Sequence, residues 1–107
     1  MTNMTKVAIS IAAQNTFTDP LNCPRDSVLV VLNPTGGTGV GTVTTQIRDY
    51  TNPVSPGVWE DWDRRVVASG ACQAFIIDVP CTNQQIRCGF KTGEYTSGTL
   101  TGRIQHS

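Results

Sequence analysis

Hydrophobic and polar residues alternate with a period of two along much of the chain. Over residues 5–13, Val7, Ile9 and Ile11 fall on one side, and Lys6, Ala8 and Ser10 on the other, the pattern of a half-buried strand. Residues 28–32 are instead continuously apolar, Val-Leu-Val-Val-Leu, between Asp26 and Asn33-Pro34. A short β-branched run of this kind predicts a central strand covered on both faces. Alternation returns at residues 42–48, where Val43 and Ile47 oppose Thr44, Gln46 and Arg48. It recurs at 71–79, with Phe75, Ile77 and Val79 on one face, and at 85–91, with Ile86, Cys88 and Phe90 inward and Arg87 and Lys91 outward. The last such stretch is 99–105, with Leu100 and Ile104 inward. Residues 58–67 fit a short strand, or one helical turn around 60–64, because Trp59, Trp62 and Val66 also match helical spacing.

Turn residues separate these stretches. Asp19-Pro20 and Cys23-Pro24 mark a loop, two prolines mark another within 49–57, Pro80 and Thr82-Asn83 break the strand at 71–79, and 93–98 reads as loop. The segment Pro-Thr-Gly-Gly-Thr-Gly-Val-Gly at 34–41 lies between two strand patterns and predicts a hairpin. Six to eight short strands at intervals of about ten residues predict an all-β fold, a small antiparallel β-sandwich of jelly-roll or Greek-key type. No long amphipathic helix, internal repeat or linker is present. One domain over residues 1–107 is therefore expected, with short flexible tails at 1–4 and 105–107.

Composition narrows the function classes. Charged residues make up 15% of the chain, against about 25% in ordinary soluble domains. The surface is therefore Thr, Ser, Asn and Gln, which suits contact with partners as well as it suits Thr-rich strands. Formal net charge is zero, so no cations are spare for neutralising phosphates, and nucleic acid is not an expected partner. The longest apolar run, at 28–32, is far short of the roughly 20 residues of a membrane-spanning helix. The opening Met-Thr-Asn-Met-Thr-Lys stretch has one Lys and an apolar segment broken by Ser10, which predicts an unprocessed intracellular product.

Candidate chemistry is sparse. The glycine segment has no Lys before Thr42 and leads into strand formers, so it does not match a phosphate loop. His106, the single histidine, is one residue from the C-terminus, where a solvated tail is expected. Glu60, Asp61 and Asp63 are expected to pair with Arg64 and Arg65 in a charged loop. None of Cys23, Cys72, Cys81 and Cys88 forms a close pair of the kind structural zinc sites use. Buried free thiols are expected, and if any pair is oxidised, Cys81–Cys88 is the most local candidate, with Cys72 a rival partner. No catalytic residue, cofactor or metal is assigned, and an enzyme is not expected. The candidates for contact with another protein are Trp59, Trp62, Arg64, Arg65, Arg87 and Tyr95, because Trp and Arg concentrate at interface hot spots. One tryptophan is expected in the core and the other partly exposed.

The run Ile86-Arg87-Cys88-Gly89-Phe90-Lys91-Thr92-Gly93-Glu94-Tyr95-Thr96-Ser97-Gly98-Thr99 resembles the pattern Y-R-x-G-x-K-x-G-x-[YF]-T-S-G-T that ends many small structural proteins of tailed bacteriophages. Asn15-Thr16-Phe17-Thr18, residues 41–46 and the Trp59 segment fit the same resemblance. Ile86 stands where the pattern has an aromatic, and the cysteines are extra to it. The resemblance implies a virion component, made in the host cytoplasm: a capsid decoration (cement) protein, commonly a homo-dimer or homo-trimer, on the outside of the major capsid protein shell. The alternatives are a neck, tail or baseplate component, or a carbohydrate-binding module using Trp59, Trp62 and Tyr95 as stacking platforms.

Overall fold

The computed structural model describes residues 5–23, 26–79 and 83–106. Nine strands lie among them: β1 (Thr5–Ile11), β2 (Thr16–Phe17), β3 (Leu21–Cys23), β4 (Asp26–Leu32), β5 (Val40–Asp49), β6 (Glu60–Val67), β7 (Gln73–Val79), β8 (Gln84–Ser97) and β9 (Leu100–His106). One antiparallel sheet runs β1-β9-β4-β7 and the other β2-β8-β5-β6, with β3 also on β8. Because β2 and β3 follow one another along the same edge of β8, they act as one interrupted strand. The result is the eight-stranded, two-sheet jelly roll.

The inward faces are those that alternation predicts. Val28, Val30, Leu32, Ile86, Cys88, Phe90, Leu100 and Ile104 have no exposed surface, and Ile9, Ile11, Ile77 and Val79 are buried with them. Burying each large aliphatic or aromatic side chain contributes about 1.5–3 kcal/mol, so this layer between the sheets holds the domain together.

The connections differ from the expected ones. The 34–41 segment makes no hairpin: β4 pairs with β7 and β9, and β5 pairs with β6 and β8 in the other sheet. The glycine segment is a crossover held by buried Asn33, whose Nδ2 donates to the carbonyls of Gly39 (2.8 Å) and Ala68 (3.1 Å). Residues 93–97 belong to β8, which is bulged there: Val43 opposes Phe90 while Gly41 opposes Tyr95, so the 91–94 stretch swells out of the ladder. Residues 60–67 form a strand with no helical turn. Gln105 and His106 are in β9 and not in a tail; His106 pairs with Thr5 and its Nε2 lies 3.0 Å from the Asn22 carbonyl. Residues 1–4 lie outside those described.

Candidate functional site

The outward face of the β2/β3-β8-β5-β6 sheet is not a plain solvated surface. Alternation along β5 sends Thr44, Gln46 and Arg48 outward, and along β8 it sends Gln85, Arg87 and Gly89 outward. Yet Thr44, Gln46 and Gln85 are buried, at 0%, 7% and 6% exposure. A polar and aromatic layer covers them.

Its centre is a tripeptide that occurs twice. Gln46-Ile47-Arg48 on β5 lies antiparallel to Gln85-Ile86-Arg87 on β8, with Gln46 opposite Arg87, Ile47 opposite Ile86 and Arg48 opposite Gln85. The two isoleucines enter the core and the other four side chains meet outside it. Arg87 Nε donates to Gln46 Oε1 and Arg48 Nε to Gln85 Oε1, each at 2.8 Å. The glutamines are anchored in turn. Gln46 Nε2 donates to Asp61 Oδ1 at 2.9 Å, and Gln85 Nε2 to Asn22 Oδ1 at 2.6 Å. Antiparallel pairing of one short motif with itself gives a local two-fold arrangement. Each arginine is aimed by the glutamine across from it.

Aromatic rings interleave with the guanidiniums. Arg87 lies 4.2 Å from the Phe17 ring centre and 4.4 Å from that of Trp59. Arg48 lies 4.4 Å from Trp59 and 5.7 Å from Tyr50. Phe17, Arg87, Trp59, Arg48 and Tyr50 therefore form one continuous cation–π chain across β2, β8 and β5, at spacings where such contacts are favourable. Burial first, and the neighbouring Arg48 charge second, lower the Arg87 guanidinium below its ordinary value.

Salt bridges frame the chain on one side. The β8 bulge carries Lys91 and Glu94 across β5 to β6, where Lys91 Nζ meets Asp61 Oδ2 at 2.7 Å and Arg64 Nη2 meets Glu94 Oε2 at 2.5 Å. Hydrogen bonds from Lys91 and Gln46 hold the Asp61 carboxyl below the usual carboxylate range. Beside Tyr50, a concavity of about 280 Å³ is lined by Asn22, Pro53, Asn83 and Gln84. It falls just under the range of roughly 300–1,000 Å³ typical of small-molecule sites. No cluster of three or more His, Cys, Asp or Glu side chains suited to a metal is present among the described residues.

The sequence-predicted contact residues divide into three groups. Trp59 and Arg87 are at the centre of the cation–π chain. Trp62, Arg64 and Arg65 lie on the edge strand β6. There Trp62 is 48% exposed, and Arg65 pairs with Asp63 (3.1 Å) and covers the Phe75 ring at 4.0 Å, joining the two sheets at their open edge. Tyr95 is half-buried and packs against the core: its ring meets Phe90 edge-on at 5.2 Å and its hydroxyl donates to the Gly98 carbonyl at 2.8 Å. Neither tryptophan is in the buried core, contrary to expectation. With Tyr95 packed inward and guanidiniums against Trp59, the three aromatics considered for sugar stacking do not form one platform. The acidic cluster sits on a strand, not a loop, and only Asp63–Arg65 pairs as expected.

Arg48, Gln46, Gln85, Phe17 and Tyr50 were absent from the predicted set. The signal that could have found them is the repeated Gln-Ile-Arg.

Cys81 lies outside the described residues. The Cys81–Cys88 pairing therefore lies outside them too. Cys88 is a thiol in the core that points between the sheets opposite Thr45, its Sγ 3.2 Å from Thr45 Oγ1. Cys72 is exposed ahead of β7.

No family model matches the chain, and no curated protein matches it. Among solved structures it is similar to a chain from the disulfide-linked pili that form Bacillus endospore appendages (20% identity, 98% of this chain and 87% of that one, TM-score 0.43). It is similar also to a carbohydrate-binding module from the family 9 glycoside hydrolase Cel9A of Ruminococcus flavefaciens FD-1 (12% identity, 92% and 95%, TM-score 0.44). A third likeness is to a chain of infectious bursal disease virus, Gx strain (9% identity, 96% and 31%, TM-score 0.43). Likenesses at this level say nothing about what the chain binds.

Proposed function

We propose that this jelly roll is a non-catalytic structural module of a tailed-bacteriophage virion, a capsid decoration protein that docks on the major capsid protein through the arginine–aromatic face and the adjoining edge strand β6. The observation that carries the docking half is the Phe17–Arg87–Trp59–Arg48–Tyr50 chain. It concentrates Trp, Tyr and Arg, the residue types that dominate interface energetics, in one ordered patch. Its two arginines are held by hydrogen bonds to Gln85 and Gln46 before any partner arrives, which lowers the entropy cost of association. The edge strand adds exposed Trp62 and Val66 beside it. The virion half rests on the resemblance of residues 86–99 to phage structural proteins. Many copies on one shell would turn modest contacts into a strong clamp, and a homo-dimer or homo-trimer would raise the avidity further.

The test is quantitative mass spectrometry of purified particles. Hundreds of copies per particle are expected, with Trp59→Ala reducing occupancy. A dozen copies or fewer would move the chain to the neck or tail, and absence from particles would end the reading.

A further inference from the structure

We propose that Arg48 and Arg87 form a receptor for a carboxylate presented by the partner protein, an Asp or Glu side chain that meets the Nη groups of the two guanidiniums beside Trp59. The inference rests on the proposed docking role of this face and names what the face recognises. Four observations carry it.

The first is charge. The ion pairs of the described residues use Arg64, Arg65 and Lys91, and neither Arg48 nor Arg87 meets a carboxylate. The second is proximity. Both guanidiniums stand 4.4 Å from the same Trp59 ring, so two like charges share one patch, and partial burial first, then the Arg48 charge, disfavour a charged Arg87. An entering anion relieves that repulsion. The third is aim. Each Nε is held by a glutamine oxygen, which fixes the plane of the guanidinium and leaves its Nη hydrogens for the planar, two-pronged contact that carboxylates make. The fourth is selectivity. Asp61 is fastened next to Gln46, and exposed Glu60 follows Trp59. These two carboxylates would repel the many charges of a phosphodiester backbone more than a single entering carboxylate. Zero net charge points the same way. The Phe17 and Trp59 rings of this face are already engaged by guanidiniums.

The experiment is an NMR titration of the full chain, following the arginine Nε–Hε signals as glutarate is added at constant ionic strength, with sodium chloride as the control and sulfate as a second arm. The Arg48 and Arg87 signals should move together along one saturating curve in the millimolar range. Arg48→Gln should weaken glutarate binding by about tenfold or more, while Lys6→Gln, which removes the same charge from an exposed position on β1, should leave it unchanged. If Arg48→Gln fails to fold, Arg87→Lys keeps the charge, loses the fork and should still weaken binding. No shift beyond that of chloride overturns the proposal. So does equal weakening by Lys6→Gln, or tighter binding of sulfate than of glutarate. Glutarate binding by a chain absent from particles would leave the receptor standing and remove the virion reading. Particle association without glutarate binding would do the reverse.

Discussion

The cysteines show how one residue type takes different chemistry from different neighbours. Cys88 has no exposed surface, and burial pushes its thiol up to about 12, with the Thr45 hydroxyl acting in the opposite direction. In the unfolded chain the same thiol ionises near its ordinary value, about 8.5. Between these values the unfolded state binds fewer protons than the folded one, so stability falls as pH rises, by up to about 1.4 kcal/mol per pH unit. Below that window the group contributes no pH dependence. The urea midpoint is expected to drop as pH is raised above about 9, and Cys88→Val, which removes the ionisation while keeping an apolar side chain, should flatten the drop. Exposed Cys72 should be alkylated in the native protein, and Cys88 only after unfolding, as peptide mapping by mass spectrometry would record. Period-two spacing put Cys88 inward; that its neighbour there is Thr45 became visible only with the register of β5 on β8, which places the hydroxyl against the sulfur.

At the scale of elements, period-two patterning disclosed which residues face in, because each strand has one face on a shared core. Ile86, Cys88, Phe90, Leu100 and Ile104 are all fully buried as expected. The same patterning left the pairing partners hidden. Gly and Pro mark where a chain turns, and in a jelly roll nearly every turn leads to the opposite sheet. Among the described strands, β5 and β6 are the sequence neighbours that lie side by side. The candidate site was half visible for the same reason: Trp59 and Arg87 are conspicuous singly, but the Arg48–Gln85 and Gln46–Arg87 pairs exist only once β5 lies on β8. Gly89 makes the last link of that assembly. A Cβ there would come within 2.6 Å of Phe17 Cα and would also strike the Thr16 carbonyl oxygen, so only glycine lets β2 seat on β8 and bring the Phe17 ring to Arg87. Gly89→Ala is expected to cost about 1–3 kcal/mol through overpacking, read as a lower urea midpoint. In the same variant the Arg87 Nε–Hε signal should move more than that of Arg48, whose neighbours Trp59 and Tyr50 lie on other segments.

On the scale of the whole molecule, the sandwich separates what holds it together from what it shows to a partner. The core lies between the sheets, the arginine–aromatic chain lies outside one of them, and the loop at 51–55 is exposed throughout and contributes nothing to the core. The chain ends are brought together by the fold itself, because β1 pairs with β9 with Thr5 opposite His106. Neighbouring strands stand about 4.8 Å apart, so residues 1–4 and 107 are enough chain to join Thr5 to His106 covalently. A circular permutant joined there and opened between Pro53 and Val54 breaks the β5–β6 connection and turns β1 and β9 into a hairpin. It removes no core contact, and loop-closure costs change only slowly with length. The permutant should therefore fold with the same sheets and a urea-derived stability within about 1 kcal/mol of the parent, and it should keep the glutarate response of Arg48 and Arg87. Loss of the fold would mean that the β5–β6 turn specifies the topology. A folded permutant that no longer responds to glutarate would mean that the turn, and not the paired Gln-Ile-Arg arms, positions the two arginines.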